Sequence, residues 1–338
     1  MKKTLLRLTA FLSLLLLTTG FNSKTASRNL HNSHYVVSAS DPLPSWNEGD
    51  LKQKLIDYVT NAIKEGSAGF VPAGDRIAVF DNDGTLWSEQ PLYFQFFFAF
   101  DRAKQLAPQH PEWNNKEPFK SALSGNIKGV FASGNEGVGD LMAATFTGTS
   151  GDAFDKLVKA WIDTARHPFT KKAYNEMVFQ PMLELLNYLR ANGFKTFIVS
   201  GGDLAFMRAW VEKTYNIPPE QVVGSWFNVK YDSMGIMRLP ELGFMDDGPG
   251  KPEGIYQHIG KKPVFAAGNS DGDYQMLQWT STNTEPHMEI IVHHTDSVRE
   301  WAYDRRSSIG RLEKGLDDAP KYNWLLVDMK KDWKQIYP

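Results

Sequence analysis

The chain has 338 residues, 42% of them hydrophobic and 22% charged, with a formal net charge of -2. It is long enough to bury a core with more than one subdomain, and too evenly charged to favour nucleic acid as a partner. It contains no cysteine, which excludes disulfides, thiolate-ligated metals and a cysteine nucleophile.

In chain order, the first element reads as a targeting segment. Lys2, Lys3 and Arg7 precede an apolar run over residues 8–17, interrupted only by Thr9 and Ser13, and the small residues Thr18, Thr19 and Gly20 follow. The pattern predicts a cleaved signal peptide over residues 1–26. Its apolar run falls short of the roughly 20 residues that span a bilayer. The expected location is periplasmic or secreted, with no membrane partner for the mature form and no cysteine for a lipid anchor. Residues 27–71 read as a polar tail and a lead helix, in which Leu51, Leu55, Tyr58, Val59, Ala62 and Ile63 share one face.

An unbroken apolar run at 77–80 then stops at Asp81-Asn82-Asp83-Gly84-Thr85. Such a run predicts a strand buried on both faces, as in a parallel sheet. Similar runs at 194–199, 264–267 and 290–292 end respectively at Ser200-Gly201-Gly202, at Gly268-Asn269-Ser270-Asp271-Gly272-Asp273 and at His293. Helical patterns at 181–191, 204–215, 252–259 and 274–279 separate or follow them. Alternation of this kind predicts an α/β fold with a doubly wound, Rossmann-like parallel sheet. Ligands in such sheets bind beyond the carboxyl ends of the strands, so the four polar clusters are expected to converge.

Residues 91–178 break the alternation. Tyr93, Phe94, Phe96, Phe97, Phe98 and Phe100 crowd their start, and a helical pattern over 154–165 closes them. They read as a mostly α-helical cap inserted into a core formed by residues 72–90 and 179–338. The aromatics are too dense for one helix face and are expected to form mainly the core of the insertion.

The Asp81–Thr85 cluster carries the chemistry. A calcium loop fails by position, because Thr85 and Leu86 stand where such a loop needs Asp or Asn and then Gly. A phosphate ester suits it. One carboxylate can attack phosphorus if a hard cation screens the repulsion, while a second handles the leaving-group and water protons. Gly84 lets the backbone and its amides approach a phosphate.

These residues resemble the first motif of the haloacid dehalogenase-like superfamily, and the later motifs follow in order. The resemblance implies that Asp81 is nucleophile and metal ligand, and that Asp83 is the general acid/base and ligates Mg²⁺ through its carbonyl. It also implies that Thr85 supports the loop, that Ser200 and Gly201 hold the phosphoryl group, and that Lys251 offsets its charge. The fourth motif departs from the family in having Asn269 where Asp is usual. The alignment makes Asn269 a metal ligand and Asp273 its acidic support, with Asp271 as the alternative. Within the superfamily the chain resembles phosphoserine and phosphorylcholine phosphatases. This implies a Mg²⁺-dependent phosphomonoester hydrolase acting on a small organic phosphate, with a phosphotransferase as the alternative.

Three residues near the first motif are candidate substrate contacts. Trp87 is expected to line the pocket, where its ring could attract an organic cation. Gln90 falls where phosphoserine phosphatases place a Glu for the substrate amine, and Glu89 stands one residue early. A rival reading takes Gly268-x-Ser270-x-Gly272 as a nucleophile elbow, with Ser270 attacking and His293 or His294 as base. It leaves Asp81, Asp83, Ser200 and Lys251 unexplained. His293 and His294 otherwise read as polar residues at a strand end.

Overall fold

The computed structural model describes residues 41–233 and 235–338. The predicted signal peptide and the tail up to residue 40 lie outside the described residues. The element at the centre is the four-residue strand β1 (Ile77–Phe80). β2 (Lys195–Asp203), β3 (Val222–Asp232) and β4 (Gly235–Phe244) extend the sheet on one side of it, and β5 (Phe265–Gly268), β6 (Met288–His293) and β7 (Leu325–Asp328) on the other. The order is β4-β3-β2-β1-β5-β6-β7, and every neighbouring pair is parallel except β3–β4. Strand order reverses direction between β1 and β5, so the crevice at their carboxyl ends is the topological switch point.

Both faces of the central strand are covered, as its unbroken apolar pattern requires. Ile77 and Val79 pack with Ile255 and Leu277 on one side, while Ala78 and Phe80 join the larger cluster containing Leu55, Leu185 and Phe265 on the other. The lead helix α1 (Asp50–Ile63) buries Leu55, Val59 and Ala62, and its Tyr58 hydroxyl donates to the Val264 carbonyl at 2.5 Å.

Between β1 and β2 the chain forms α2 (Phe94–Leu106), α3 (Phe119–Ser124), α4 (Ile127–Ala132), α5 (Gly134–Phe146) and α6 (Gly151–Thr164). Phe94, Phe96, Phe97, Phe98 and Phe100 are buried in and around this block. The remaining helices are α7 (Gln180–Ala191), α8 (Leu204–Arg208), α9 (Val211–Tyr215), α10 (Gly250–His258), α11 (Tyr274–Thr280), α12 (Lys314–Tyr322) and α13 (Met329–Asp332). The helical pattern over 204–215 resolves into two short helices, α8 and α9, because the chain turns at Ala209 and Trp210. Among the described residues no helix is long and apolar enough to cross a membrane.

The hairpin β3–β4 and the strand β7 are absent from the sequence-based expectation. β3 leaves the parallel sheet partway along its length and returns antiparallel as β4. The hairpin is tied to the helical insertion by backbone bonds from Gly148 to the Arg238 carbonyl and from Arg238 to the Thr149 carbonyl. The Arg238 guanidinium is buried, donating to the Phe146 carbonyl at 2.7 Å and to Asp203 at 2.8 Å, and it lies over the Phe154 ring. A buried charge held by an opposite charge and a carbonyl fixes the hairpin against the insertion.

Candidate active site

The loop after β1 is built by its own backbone. Asp81 N–H donates to the Ala267 carbonyl at 2.9 Å, and Leu86 N–H to the Asn82 carbonyl at 2.8 Å. Gly84 has φ +73°, a left-handed conformation that favours glycine. A Cβ there would also collide with the Asn269 and Glu89 side chains. The buried Asn82 side chain accepts from the Tyr215 hydroxyl at 3.0 Å, which anchors the loop from α9.

Four strand ends converge as the topology requires. Lys251, in the first turn of α10, donates to Asp81 at 2.6 Å, to Asp273 at 2.5 Å and to the Val199 carbonyl at 3.0 Å. Asp273 accepts with its other oxygen from the Asn269 and Ser270 amides at 2.9 and 3.0 Å. The Thr85 hydroxyl lies 3.2 Å from Asn269 Oδ1 and 3.5 Å from Asp81 Oδ2, which makes it the link between these two side chains. Ser200, Gly201, Asp83 and Lys251 all border the same cleft as Asp81, of about 710 Å³.

The electrostatics of this floor are those of an acid cluster short of positive charge. Lys251 is the one cation among the described residues lining the cleft, against Asp81, Asp83, Glu89 and Asp273 on its floor and Glu136, Asp140, Asp203 and Asp247 on its walls. Burial works against the Lys251 ammonium, but Asp273 and Asp81 outweigh it and hold Lys251 charged. Burial and the Asp273 charge push the Asp81 carboxyl well up, with Lys251 pulling the other way. Asp83 is pushed up to about 6, mainly by burial, and the Trp87 indole opposes this by bonding the carboxylate.

The donor set suits a hard cation. Asp81 offers a carboxylate, the 83 position a backbone carbonyl, and Asn269 an amide oxygen, all in oxygen chemistry that matches Mg²⁺. Among the described residues no three His, Cys, Asp or Glu side chains form a cage of their own. The arrangement instead mixes one carboxylate with neutral oxygens, and an added positive charge would relieve the crowding of carboxylates around Asp81.

Several sequence-based expectations need correcting. Trp87 does not line the cleft. It is 1% exposed, its ring stacks on Trp210 at 4.2 Å, and its indole nitrogen donates to Asp83 Oδ1 at 2.6 Å. Its spacing puts it under the loop, where it orients Asp83 from outside the cleft. Gln90 turns away as well, donating to the Ile309 carbonyl at 3.1 Å and to Ser307 at 3.3 Å. Glu89 borders the cleft, but its Oε1 accepts from Asn269 at 2.6 Å and from the Tyr303 hydroxyl at 2.7 Å.

Asn269 and Asp271 are placed differently. Asp271 caps the start of α12, accepting from the amides of Glu313, Lys314 and Gly315 at 2.8 to 3.2 Å. It has no oxygen turned to the floor, and Asn269 does. Ser270 has no bond to either histidine of the elbow reading among the described residues. Its hydroxyl faces Asp273 at 3.2 Å and accepts from the Gly272 amide. His294 is engaged elsewhere, and His293 pairs with Asp304 at 3.5 Å.

Sequence reasoning missed the segment after β6. His294 is buried, and its Nε2 donates to the Gly84 carbonyl at 2.7 Å, while its Nδ1 lies 3.2 Å from Glu300. A carbonyl can only accept, so Nε2 carries a proton. The Tyr303 ring stacks on His294 at 4.3 Å and sends its hydroxyl to Glu89. The adjacent pair His293-His294 at a strand end was the available signal, but its direction toward Gly84 depends on the β1–β5–β6 order.

Residues 78–278 match the family model described as haloacid dehalogenase-like hydrolase. Among solved structures, a conserved protein of unknown function from Anaerococcus prevotii DSM 20548 is 16% identical, covering 76% of this chain and 89% of its own, with a TM-score of 0.48. A protein of unknown function from Bordetella pertussis Tohama I is 15% identical over 75% of this chain and 99% of its own, with a TM-score of 0.48. A phosphoserine phosphohydrolase-like protein from Francisella tularensis subsp. tularensis SCHU S4 is 17% identical over 64% and 87%, with a TM-score of 0.36. No curated protein matches the sequence.

Proposed function

The chain belongs to the haloacid dehalogenase-like hydrolases, and on that footing we propose that it hydrolyses phosphate monoesters through covalent attack by Asp81. One observation carries the reading. Two carboxylates from the same strand end have different partners, Asp81 the Lys251 ammonium at 2.6 Å and Asp83 the Trp87 indole at 2.6 Å. Environments that separate two neighbouring acids assign them different roles, one as nucleophile and one as proton carrier.

In the first step an Asp81 oxygen forms a bond to phosphorus as the bond to the ester oxygen breaks. Asp83 gives its proton to that leaving oxygen. In the second step Asp83, now a carboxylate, takes a proton from water as the water oxygen attacks the acyl phosphate, freeing Asp81 and inorganic phosphate. Lys251 offsets negative charge on Asp81 and the phosphoryl group, with Ser200 and the Gly201 backbone beside it at the cleft floor. Asp81, the Asp83 carbonyl and Asn269 would hold Mg²⁺, which supplies positive charge against the repulsion between carboxylate and phosphate.

The cleft narrows the substrate class. Its upper wall is apolar, from Phe96, Val138, Met142, Trp226 and Leu242, and among the described residues its titratable acids and bases other than Lys251 and Tyr93 are carboxyl groups. A neutral or cationic alcohol suits such walls, and a polyanionic leaving group does not. The N-terminal segment adds the proposal that the enzyme acts outside the cytoplasm.

The test is phosphate release by the mature chain from an aryl phosphate, phosphocholine, phosphoserine and a nucleotide, with and without Mg²⁺. Release that needs Mg²⁺ and disappears in Asp81→Asn is expected, with the nucleotide the poorest ester. No release from any ester, or an Asp81→Asn variant as active as wild type, removes the reading.

A further inference from the structure

An asparagine at a cation site lacks charge, and its amide presents oxygen or nitrogen according to which way it is turned. Only the oxygen can ligate a cation. In this structure the turn is decided by Glu89. Asn269 Nδ2 donates to Glu89 Oε1 at 2.6 Å, and this leaves Oδ1 on the side of the Thr85 hydroxyl, 3.2 Å away. The same hydroxyl reaches Asp81, so the oxygen faces the nucleophile's side of the floor.

Glu89 is itself rigidly placed. It is 1% exposed, and the Tyr303 hydroxyl donates to the same Oε1 at 2.7 Å. Gly310 packs against it so closely that a Cβ there would collide with the carboxylate. Its bonded partners, an amide and a phenol, are both neutral. Among the described residues no lysine, arginine or histidine forms an ion pair with it. A buried carboxylate without a cation is costly, and a divalent ion at Asn269 would offset it.

We propose that Glu89 and Asn269 act as one unit at the metal site, in which Glu89 turns the amide oxygen toward the cation and supplies the charge that asparagine lacks. This rests on the metal-dependent reading given under Proposed function. Glu89 is a positioning residue, acting through Asn269, and the pair replaces a directly ligating aspartate.

Moving the charge along the pair tests the idea. Mg²⁺ affinity of the full chain is measured by titration calorimetry for wild type, Glu89→Gln, Asn269→Asp and the double variant, alongside metal-free melting temperatures. Glu89→Gln should weaken Mg²⁺ binding about 10-fold or more, as loss of a group that orients a ligand does. Asn269→Asp alone sets two carboxylates against each other, so its metal-free melting temperature should fall and recover on adding Mg²⁺. The double variant carries the charge at 269 instead of 89, and its affinity should return to within about threefold of wild type. Wild-type affinity in Glu89→Gln, or a double variant no tighter than Glu89→Gln, overturns the pairing. Asp81→Asn is the separate control: undiminished Mg²⁺ binding there, or none in the wild type, contradicts the metal reading itself.

Discussion

Beneath the cleft, Lys251 holds Asp81 and Asp273 at 2.5 to 2.6 Å, and backbone amides take up the second Asp273 oxygen. Above it, Phe96 from α2, Val138 and Met142 from α5, and Trp226 and Leu242 from the hairpin present mostly carbon. The floor is held by charge and hydrogen bonds that need particular atoms at particular places. The roof is held by packing, which many apolar residues satisfy. Loss of one floor group therefore strands its partners, whereas loss of one roof group changes shape alone.

The largest departure from this contrast comes from the floor's cation, Lys251. Lys251→Met leaves Asp81 and Asp273 buried side by side, and should lower stability by about 3–5 kcal/mol and kcat/KM by about 10³-fold. Denaturant unfolding and steady-state kinetics measure both. A variant that keeps either property shows the floor to be less interdependent than its geometry says.

Trp87→Phe is a finer cut. The phenyl ring keeps the stacking on Trp210 and the edge contact with Phe94, but loses the bond to Asp83. That bond favours the carboxylate, so its loss raises the Asp83 pKa from its place near 6. Leaving-group protonation needs the acid form. The limb of the kcat/KM profile that falls with rising pH should then move to higher pH, with kcat reduced about 10-fold. A profile that stays in place shows that Trp87 only fills space.

The smallest effect is expected in the roof. Trp226 stacks on Phe244 at 4.5 Å and borders the cleft from the hairpin. Trp226→Ala should raise KM for a bulky ester roughly 3- to 10-fold while leaving kcat for a small one unchanged. Equal loss of kcat on both esters shows that the roof also orders the floor.

The same contrast explains what could be read before the structure. Asp81, Asp83 and Ser200 stood out because phosphoryl transfer accepts few residue types and each follows a strand that the apolar runs locate, while Lys251 stood out at the start of the helical pattern over 252–259. The parallel core was legible for the same reason, since a strand buried on both faces leaves an unbroken run. The hairpin was not. Its outer half is exposed, with Val229, Tyr231 and Ile236 facing solvent, so the run that marks a core strand is diluted with polar residues. Trp87 was misplaced because an aromatic near a site reads equally well as wall or as support, and only the loop's fold decides. Asp271 was ambiguous until α12 arrived from 42 to 44 residues downstream to be capped by it. His294 needed the strand order to aim it at Gly84.

The central claim is that Asp81 carries the phosphoryl group, and trapping tests it most directly. The mature chain is mixed with a hydrolysable aryl phosphate and Mg²⁺, quenched in acid during turnover and reduced with borohydride, which converts an acyl phosphate to the alcohol. Peptide mass spectrometry should then find homoserine at position 81, and aspartate there in a sample quenched without substrate. Reduction at another residue, or an unchanged Asp81 during demonstrable turnover, would contradict the account.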